Sequence, residues 1–169
     1  MEELLYRARK FDLVRITYTL AGRRVVAEVL RHPGAVAAVL KRNGLIFVKQ
    51  YRPAVGAYTL EIPAGTLKRG EAPEDGLKRE LVEETGYLPT KYVPMGWIYP
   101  SPGVSDEKIY LYFVEAAEYV GVGQRDPGEA DMEVVEVGVE EAFGAVAKGE
   151  IRDGKTVAAL FLARQLGYI

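Results

Sequence analysis

Cysteine is absent from this 169-residue chain, and histidine occurs only once, at position 32. The absence of cysteine excludes disulfides, thiolate metal ligands and a cysteine nucleophile. Heat-labile amides are also scarce, with one asparagine and three glutamines, and this shortage indicates a thermophilic source. His32 precedes Pro33 and Gly34 at a strand–turn junction. This setting is typical of a structural histidine, so we assign it no catalytic role.

Long apolar runs and a strong excess of one charge are missing as well. No segment approaches the ~18 apolar residues needed to span a bilayer, and the N-terminal MEELLYRARK lacks the apolar core of a signal peptide. The formal net charge of −2 gives no reason to expect a nucleic-acid or membrane partner. Hydrophobic residues make up 49% of the chain and charged residues 27%, as in ordinary globular proteins. We therefore expect a single domain, residues 1–169, with a cytoplasmic location.

Alternating and apolar segments predict two β-hairpins in the first part of the chain. Residues 13–20 and 25–30 flank a turn near residues 21–24. Residues 35–40 and 45–50 flank the sequence KRNG, in which Asn43 and Gly44 are expected to adopt positive φ. Further strands are expected at 60–62, 95–99, 108–114 and 133–137.

Three helices are expected, at 72–85, 139–148 and 156–166. The first begins with Pro73 and is followed by Gly86, which are typical residues for the start and the end of a helix. Because strands and helices mix without a regular alternation, the predicted fold class is α+β. The segment 121–131, GVGQRDPGEAD, is rich in glycine and is predicted to form a mobile loop.

The first predicted helix has an unusual charge distribution. On a wheel of about 100° per residue, Leu77 and Leu81 define the buried stripe. Glu80, Glu83 and Glu84 fill an arc beside this stripe instead of opposite it, and like charges at i,i+4 repel. One interpretation is a solvated face of a surface helix. The other is a divalent-cation site, for which hard oxygen ligands without histidine or cysteine favour Mg²⁺ or Mn²⁺.

The spacing of these residues resembles the Nudix box, the signature of the Nudix hydrolase family. Gly65 is followed after five residues by Glu71, and after seven more by Arg79-Glu80-Leu81-x-Glu83-Glu84-x-Gly86-Tyr87. The match spans residues 65–87 and departs from the box at no specified position. The resemblance implies an α/β/α sandwich with a mixed sheet, to which the N-terminal hairpin is an addition. It also implies Mg²⁺-dependent hydrolysis of a nucleoside diphosphate linked to another group.

The same resemblance implies roles for the residues in and before the box. Glu80 and Glu84 would be metal ligands, with Glu83 beside them. Ala64 would contribute a backbone carbonyl to a metal, and Arg79 would orient the glutamates. More than one cation per site would neutralise the diphosphate oxygens and activate the attacking water.

A catalytic base is expected outside the box, because related enzymes take it from a separate loop. Glu129, in the glycine-rich loop, is the candidate, and Asp131 is the alternative. Such a base contributes roughly 10²–10⁴-fold to the rate. The competing interpretation of both residues is ordinary surface charge.

Segments on either side of the box resemble the ADP-ribose pyrophosphatase branch of the family. These are QYRPAVG at 50–56, EIPAG at 61–65 and YPSPGVSDEK at 99–108, in which Pro102 lies 16 residues after Gly86. The resemblance implies that Arg52 holds a substrate phosphate, that Glu107 helps to bind the terminal ribose, and that Arg31 assists. Pro102 also has a simpler interpretation as a turn residue.

The N-terminal hairpin region, residues 1–34, is larger than a minimal Nudix domain requires. An isolated two-stranded ribbon is barely stable in water, so it must pack on something. In the resembling enzymes this region builds a homodimer and closes the adenine pocket. Phe11 offers a ring for stacking on the base, although a core position is the alternative.

Two other functions remain open at this point. One is hydrolysis of another nucleotide sugar, such as a GDP- or ADP-hexose, since related branches share some of these features. The other is a sensor that binds ADP-ribose without cleaving it. Such modules typically lose box glutamates, whereas Glu80, Glu83 and Glu84 are all present here.

Overall fold

A mixed seven-stranded β-sheet forms the centre of the protein, for which a computed structural model describes residues 1–125 and 127–169. The strands are β1 (Glu2–Arg7), β2 (Asp12–Leu20), β3 (Arg23–Arg31), β4 (Ala35–Lys41), β5 (Leu45–Arg52), β6 (Ala57–Glu61), β7 (Ala64–Thr66), β8 (Tyr87–Ile98), β9 (Ile109–Tyr119) and β10 (Glu133–Val137). The helices are α1 (Pro73–Thr85), α2 (Val139–Ala147) and α3 (Gly154–Gln165), with a 3₁₀ turn at Pro127–Glu129. In the described chain none of these helices is long and apolar enough to cross a membrane.

The central sheet has the order β10-β5-β4-β9-β8, in which β4 and β9 are parallel and the other neighbours are antiparallel. It splits between β4 and β5, which pair only where Leu40 meets Ile46 and Lys41 meets Leu45. Beyond that point β6 pairs with β5 and β7 pairs with β4. The chain from β6 to β7 therefore runs through the split in the sheet.

Helices cover both faces of this sheet. Alternate residues of β4 point to opposite sides, as the two-residue period of a strand requires. Ala35, Ala37 and Val39 belong to a core with α2 and α3, whereas Val36, Ala38 and Leu40 belong to a second core. Helix α1 supplies Leu77 and Leu81 to that second core. The predicted α+β class and α/β/α layering are confirmed.

The N-terminal hairpin forms as predicted, and β1 extends it to a three-stranded antiparallel sheet. This sheet contacts the main body through β3, where the Leu30 amide donates to the Val104 carbonyl and the Asp106 amide donates to the Leu30 carbonyl. Burial falls along β2, from Val14, which is 4% exposed, to Leu20, which is 62% exposed. The tip of the hairpin therefore projects into solvent.

Two predictions about local structure need correction. The second hairpin is present, but neither Asn43 nor Gly44 has a positive φ. Gly44 is required for space, because a Cβ there would lie 2.5 Å from the Val137 carbonyl oxygen. Strand β8 starts well before residue 95, although it contains Pro89 and Pro94. It tolerates them because it is the outermost strand and its register shifts near both prolines.

Candidate active site

The residues at the two ends of α1 determine where this helix begins and ends. Pro73 is its first residue, where a missing N–H costs nothing, and Gly86 ends it in the left-handed conformation with φ 77°. Gly76 lets the helix approach the preceding loop, since a Cβ there would lie 2.3 Å from a methyl group of Leu67. With Leu77 and Leu81 in the core, the adjacent arc of glutamates faces the split in the sheet.

Two of these glutamates pack against the chain that crosses the split. The Ala64 amide donates to Glu84 Oε2 at 2.9 Å, and the Glu84 residue is 1% exposed. The Glu80 carboxylate lies directly over Gly65, where a Cβ would be 1.8–2.2 Å from its atoms. Gly65 is therefore glycine because the carboxylate of Glu80 occupies the space of a side chain.

Arg79 is surrounded by acceptors. Its Nε and Nη2 form a bidentate pair with Glu71 at 2.8 Å each. Its Nη1 donates to Glu80 at 2.6 Å and to Glu83 at 3.0 Å. The remaining N–H on Nη2 donates to the Thr66 carbonyl at 3.2 Å. All five donors of a guanidinium are used, so Arg79 orients carboxylates and has no donor left for a ligand.

The electrostatics of this cluster are unfavourable without further positive charge. Burial, with the charges of Glu80 and Glu129, raises the pKa of Glu84 to about 8, and the hydrogen bond from Ala64 only partly offsets this. Burial also raises the pKa of Glu80 against the opposing effect of Arg79, and the charges of Glu83 and Glu129 add to the rise. A bound cation would favour the ionised form of these carboxyls.

The donor set fits a hard divalent cation. Each of Glu80, Glu83 and Glu84 uses one carboxylate oxygen in a hydrogen bond, and the other oxygen accepts none from the described residues. In the described chain, however, no three acidic or histidine side chains converge closely enough to hold an ion alone. This agrees with the behaviour of Mg²⁺, which takes one or two carboxylates and completes its shell with water and substrate phosphate.

The glutamates line a cavity of about 930 Å³ whose lining also includes the cations Arg52 and Lys155, both paired with Glu61. Glu61 is 2% exposed and accepts hydrogen bonds from Arg52 at 2.8 and 2.7 Å, from Thr59 at 2.6 Å and from Lys155. Burial opposes ionisation of Glu61, but Arg52 and Lys155 outweigh it and lower its pKa to about 2. Lys155 also pairs with Asp153 at 3.0 Å.

This arrangement holds Arg52 without saturating it. Glu61 occupies two of its five N–H donors, and the other three donate to no acceptor among the described residues. Glu61 thus acts as a buried support for two cations that line the cavity, Arg52 and Lys155.

Most of the residues predicted for the site meet in this cavity. Its lining includes Ala64, Arg52, Arg79, Glu80, Glu83, Glu107 and Glu129, with Glu84 buried behind them. Asp131 lies outside it and accepts a hydrogen bond from the Tyr58 hydroxyl at 2.7 Å. Of the two candidate bases, the structure therefore brings only Glu129 to the glutamates.

Three of the predicted substrate-binding residues do not line the cavity of this chain. Arg31 is paired with Glu2 at 2.6 Å and with Asp106 at 3.1 Å. Pro102 lies in a turn in which the Val104 amide donates to the Ser101 carbonyl. Phe11 is 36% exposed on the N-terminal sheet. His32 has a structural contact, since its Nδ1 accepts from the Gly34 amide at 3.1 Å.

Arg52 was predicted to belong to the site, whereas Lys155 and the supporting role of Glu61 were not predicted from the sequence. Lys155 and its partner Glu61 are 94 residues apart, and no local spacing connects them. A partial signal exists in the sequence DGKT at 153–156, because Asp153 is a typical N-cap and its side chain accepts from the Thr156 amide. That pattern predicts where α3 begins, but it does not identify Lys155 as a residue of the site.

Known proteins resemble this chain in both sequence and fold. The family described as NUDIX domain matches residues 30–160. An ADP-ribose pyrophosphatase of Bacillus subtilis (strain 168) is 38% identical over 141 residues, or 82% of this chain and 76% of the relative. A GDP-mannose pyrophosphatase of Shigella flexneri serotype 5b (strain 8401) is 33% identical over 170 residues, or 89% and 86%. A crystal structure of an ADP compounds hydrolase shares the fold, with a TM-score of 0.84, 20% identity and coverage of 98% and 91%.

Replacement of Gly65 by alanine should weaken divalent-cation binding on the order of tenfold to a hundredfold, because the new methyl group displaces the Glu80 carboxylate. Titration with Mn²⁺ followed by electron paramagnetic resonance would measure the affinity. Gly144→Ala, in α2, is the matched control, since no described atom outside the backbone of that helix would lie within 4 Å of its methyl group. Unchanged Mn²⁺ affinity in Gly65→Ala would contradict this account of the glycine.

Proposed function

The chain belongs to the NUDIX family, and we propose that it hydrolyses the diphosphate of ADP-ribose to AMP and ribose 5-phosphate with the help of Mg²⁺. The observation that carries this proposal is that carboxylates and cations line one cavity. The oriented glutamates of α1 are among its lining residues, together with Arg52 and Lys155. A nucleoside diphosphate sugar matches this lining, because its phosphates can be bound by cations and by metal ions held on the glutamates.

Mg²⁺ or Mn²⁺ would be held by Glu80 and Glu84, with the Ala64 carbonyl as a further ligand and Glu83 beside them. Bound cations, more than one per site, would neutralise the diphosphate oxygens and make the attacking water more acidic. Arg79 has no free donor, so its contribution is to fix the glutamates. This assignment gives every carboxylate of the α1 arc a partner.

The remaining residues of the cavity act on the substrate directly. The free N–H donors of Arg52 and the ammonium of Lys155 would bind phosphate oxygens and hold the diphosphate against the glutamates. Glu107 would accept hydrogen bonds from ribose hydroxyls. Glu129, which lies in the cavity on the loop before β10, would take the proton from the attacking water.

Hydrolysis of GDP-mannose is the alternative that the relatives favour, since a GDP-mannose pyrophosphatase aligns over 89% of this chain. The ADP-ribose pyrophosphatase has the higher identity, 38% against 33%. A sensor without activity is less consistent with the complete set of glutamates in the site. We therefore rank ADP-ribose first among nucleotide sugars.

The direct test of substrate is phosphate release from a panel of nucleotide sugars with Mg²⁺, coupled to a phosphatase. We expect ADP-ribose to give the highest kcat/KM and excess EDTA to abolish turnover, because the diphosphate then lacks its cations. A higher kcat/KM for GDP-mannose would favour the alternative substrate. Full activity in EDTA, or no hydrolysis of any nucleotide sugar, would overturn the proposal.

Replacement of Glu129 by glutamine should lower kcat by roughly 10²–10⁴-fold with little change in KM, because a base acts mainly in the transition state. Asp131→Asn is the matched control, because Asp131 is only two residues away but lies outside the cavity, where it accepts a hydrogen bond from the Tyr58 hydroxyl. Steady-state kinetics on ADP-ribose would separate the two variants. If Asp131→Asn loses kcat and Glu129→Gln does not, Asp131 is the base.

We also propose that the protein is a homodimer assembled through residues 1–34. The three-stranded N-terminal sheet exposes a set of large apolar side chains: Leu4, Leu5, Tyr6, Phe11, Tyr18, Leu20 and Val26. An exposed apolar strand edge promotes aggregation, and pairing about a two-fold axis covers it. Such a dimer could also bring Phe11 and Arg31, which are outside the cavity of their own chain, to the adenosine end of the partner's site.

Light scattering should therefore give a mass near twice 18.7 kDa for the full-length protein. Deletion of residues 1–30 should give a monomer or an aggregate with weakened ADP-ribose binding, although the sheet from β4 onward and α1 are intact. A mass near 18.7 kDa for the active full-length protein would refute the dimer. The cytoplasmic location and the thermophilic source stay predictions from the composition.

A further inference from the structure

The C-terminal end of α1 is held by the chain that follows β9. The last turn of this helix contains no basic residue, so its carbonyl groups need donors from elsewhere. The Gly123 amide donates to the Val82 carbonyl at 2.9 Å, and the Val120 amide donates to the Gly86 carbonyl at 2.8 Å. A Cβ on Gly123 would lie 3.2 Å from the Glu83 Cα. The first part of the predicted mobile loop is therefore packed against the helix, and residue 126 lies outside the described residues.

Arg125 connects this helix end to the far side of the loop. Its Nη2 donates to the backbone carbonyl of Glu84 at 2.7 Å, and its Nη1 donates to the Met132 carbonyl at 2.6 Å. Met132 is 4% exposed, and its amide donates to the Glu129 carbonyl at 3.0 Å. One guanidinium thus links the backbone of Glu84 to the turn that carries Glu129.

This geometry suits arginine in particular. The two carbonyls belong to different segments, and the planar fork of a guanidinium reaches both with separate nitrogens. Lysine has one nitrogen on a flexible stem and cannot fix both distances in the same way. Arg125 Nε is buried and makes no hydrogen bond to the described residues, so the contacts at the two Nη atoms are what this side chain provides.

We propose that Arg125 is a positioning residue, which sets the distance between Glu129 and the glutamates of α1. The inference rests on the proposed hydrolase function, in which Glu129 accepts a proton. Without the bridge, the turn at 127–129 would lose the guanidinium link between Met132 and Glu84, and the distance from Glu129 to the glutamates would be less strictly set. Arg125 itself is not among the residues that line the cavity, so we assign it no direct contact with the substrate.

Kinetics of Arg125→Met, Arg125→Lys and the double variant Arg125→Met/Glu129→Gln on ADP-ribose test this role. We expect Arg125→Met to lower kcat on the order of tenfold to a hundredfold, with KM within about threefold, because misplacement of a reacting group by about 1 Å has that effect. Arg125→Lys should recover only part of the loss. The double variant should be no slower than Glu129→Gln, because Arg125 acts through Glu129.

Arg42→Met is the matched control. Arg42 also donates to a backbone carbonyl, that of Ala117 at 2.9 Å, and it lies over the ring of Tyr87. Its replacement should lower the melting temperature and leave kcat unchanged. If Arg125→Met behaves in the same way, or if its loss multiplies that of Glu129→Gln, Arg125 has only a structural role and the inference is wrong.

Hydrogen exchange gives a readout that does not depend on activity. The amide of Met132 should exchange faster in Arg125→Met than in Arg42→Met, since the bridge that fixes its turn is gone. If Arg125→Met does not fold, kcat and the exchange rate of the Met132 amide are measured in Arg125→Lys instead. If both are unchanged from the unmodified protein in that variant, the inference is wrong. Inactivity of the unmodified protein on every nucleotide sugar would instead reject the proposed function. The exchange result would still show whether Arg125 fixes the turn that carries Glu129.

Discussion

The burial of several like charges on one face of α1 is the constraint on which the site depends. Glu84 is almost fully buried and has Glu80 and Glu129 as negative neighbours, which together with burial raise its pKa. A helix in this position would be unfavourable if nothing compensated these charges. The chain supplies the Ala64 amide to Glu84 and two of the five donors of Arg79 to Glu80 and Glu83. Under the proposed function, Glu80 and Glu84 would hold a divalent cation, and the cation would supply the remaining positive charge and favour the binding of a diphosphate.

The split in the central sheet makes this arrangement possible. Because β4 and β5 separate after two residue pairs, the chain from β6 to β7 passes between them and presents Ala64 and Gly65 to the helix. The same crossing ends β6 at Glu61, which holds Arg52 and Lys155 at the cavity. One topological feature therefore brings the carboxylates of α1 and two cations to the same cavity.

The parts predicted from sequence are those determined by short spacings. The helix, its glycine and proline boundaries, the glutamate arc and the two hairpins all depend on neighbours within a few residues. Lys155 and Glu61 escaped prediction because their contact joins distant segments. Strand β8 was predicted too short because prolines normally exclude a strand, and only its place at the edge of the sheet permits them. The prediction that Gly44 is needed for a positive φ was wrong. Glycine is required there because a side chain would collide with the Val137 carbonyl on β10, which is distant in sequence.

The central claim is that the cation and the substrate are bound together by the glutamates of α1. Calorimetric titration of ADP-ribose into the Glu129→Gln protein, which should turn over slowly, measures this coupling with and without Mg²⁺. The account predicts that Mg²⁺ strengthens ADP-ribose binding at least about fivefold, and that this gain disappears when Glu84→Gln is added. Equal ADP-ribose affinity with and without Mg²⁺ in the Glu129→Gln protein would contradict it.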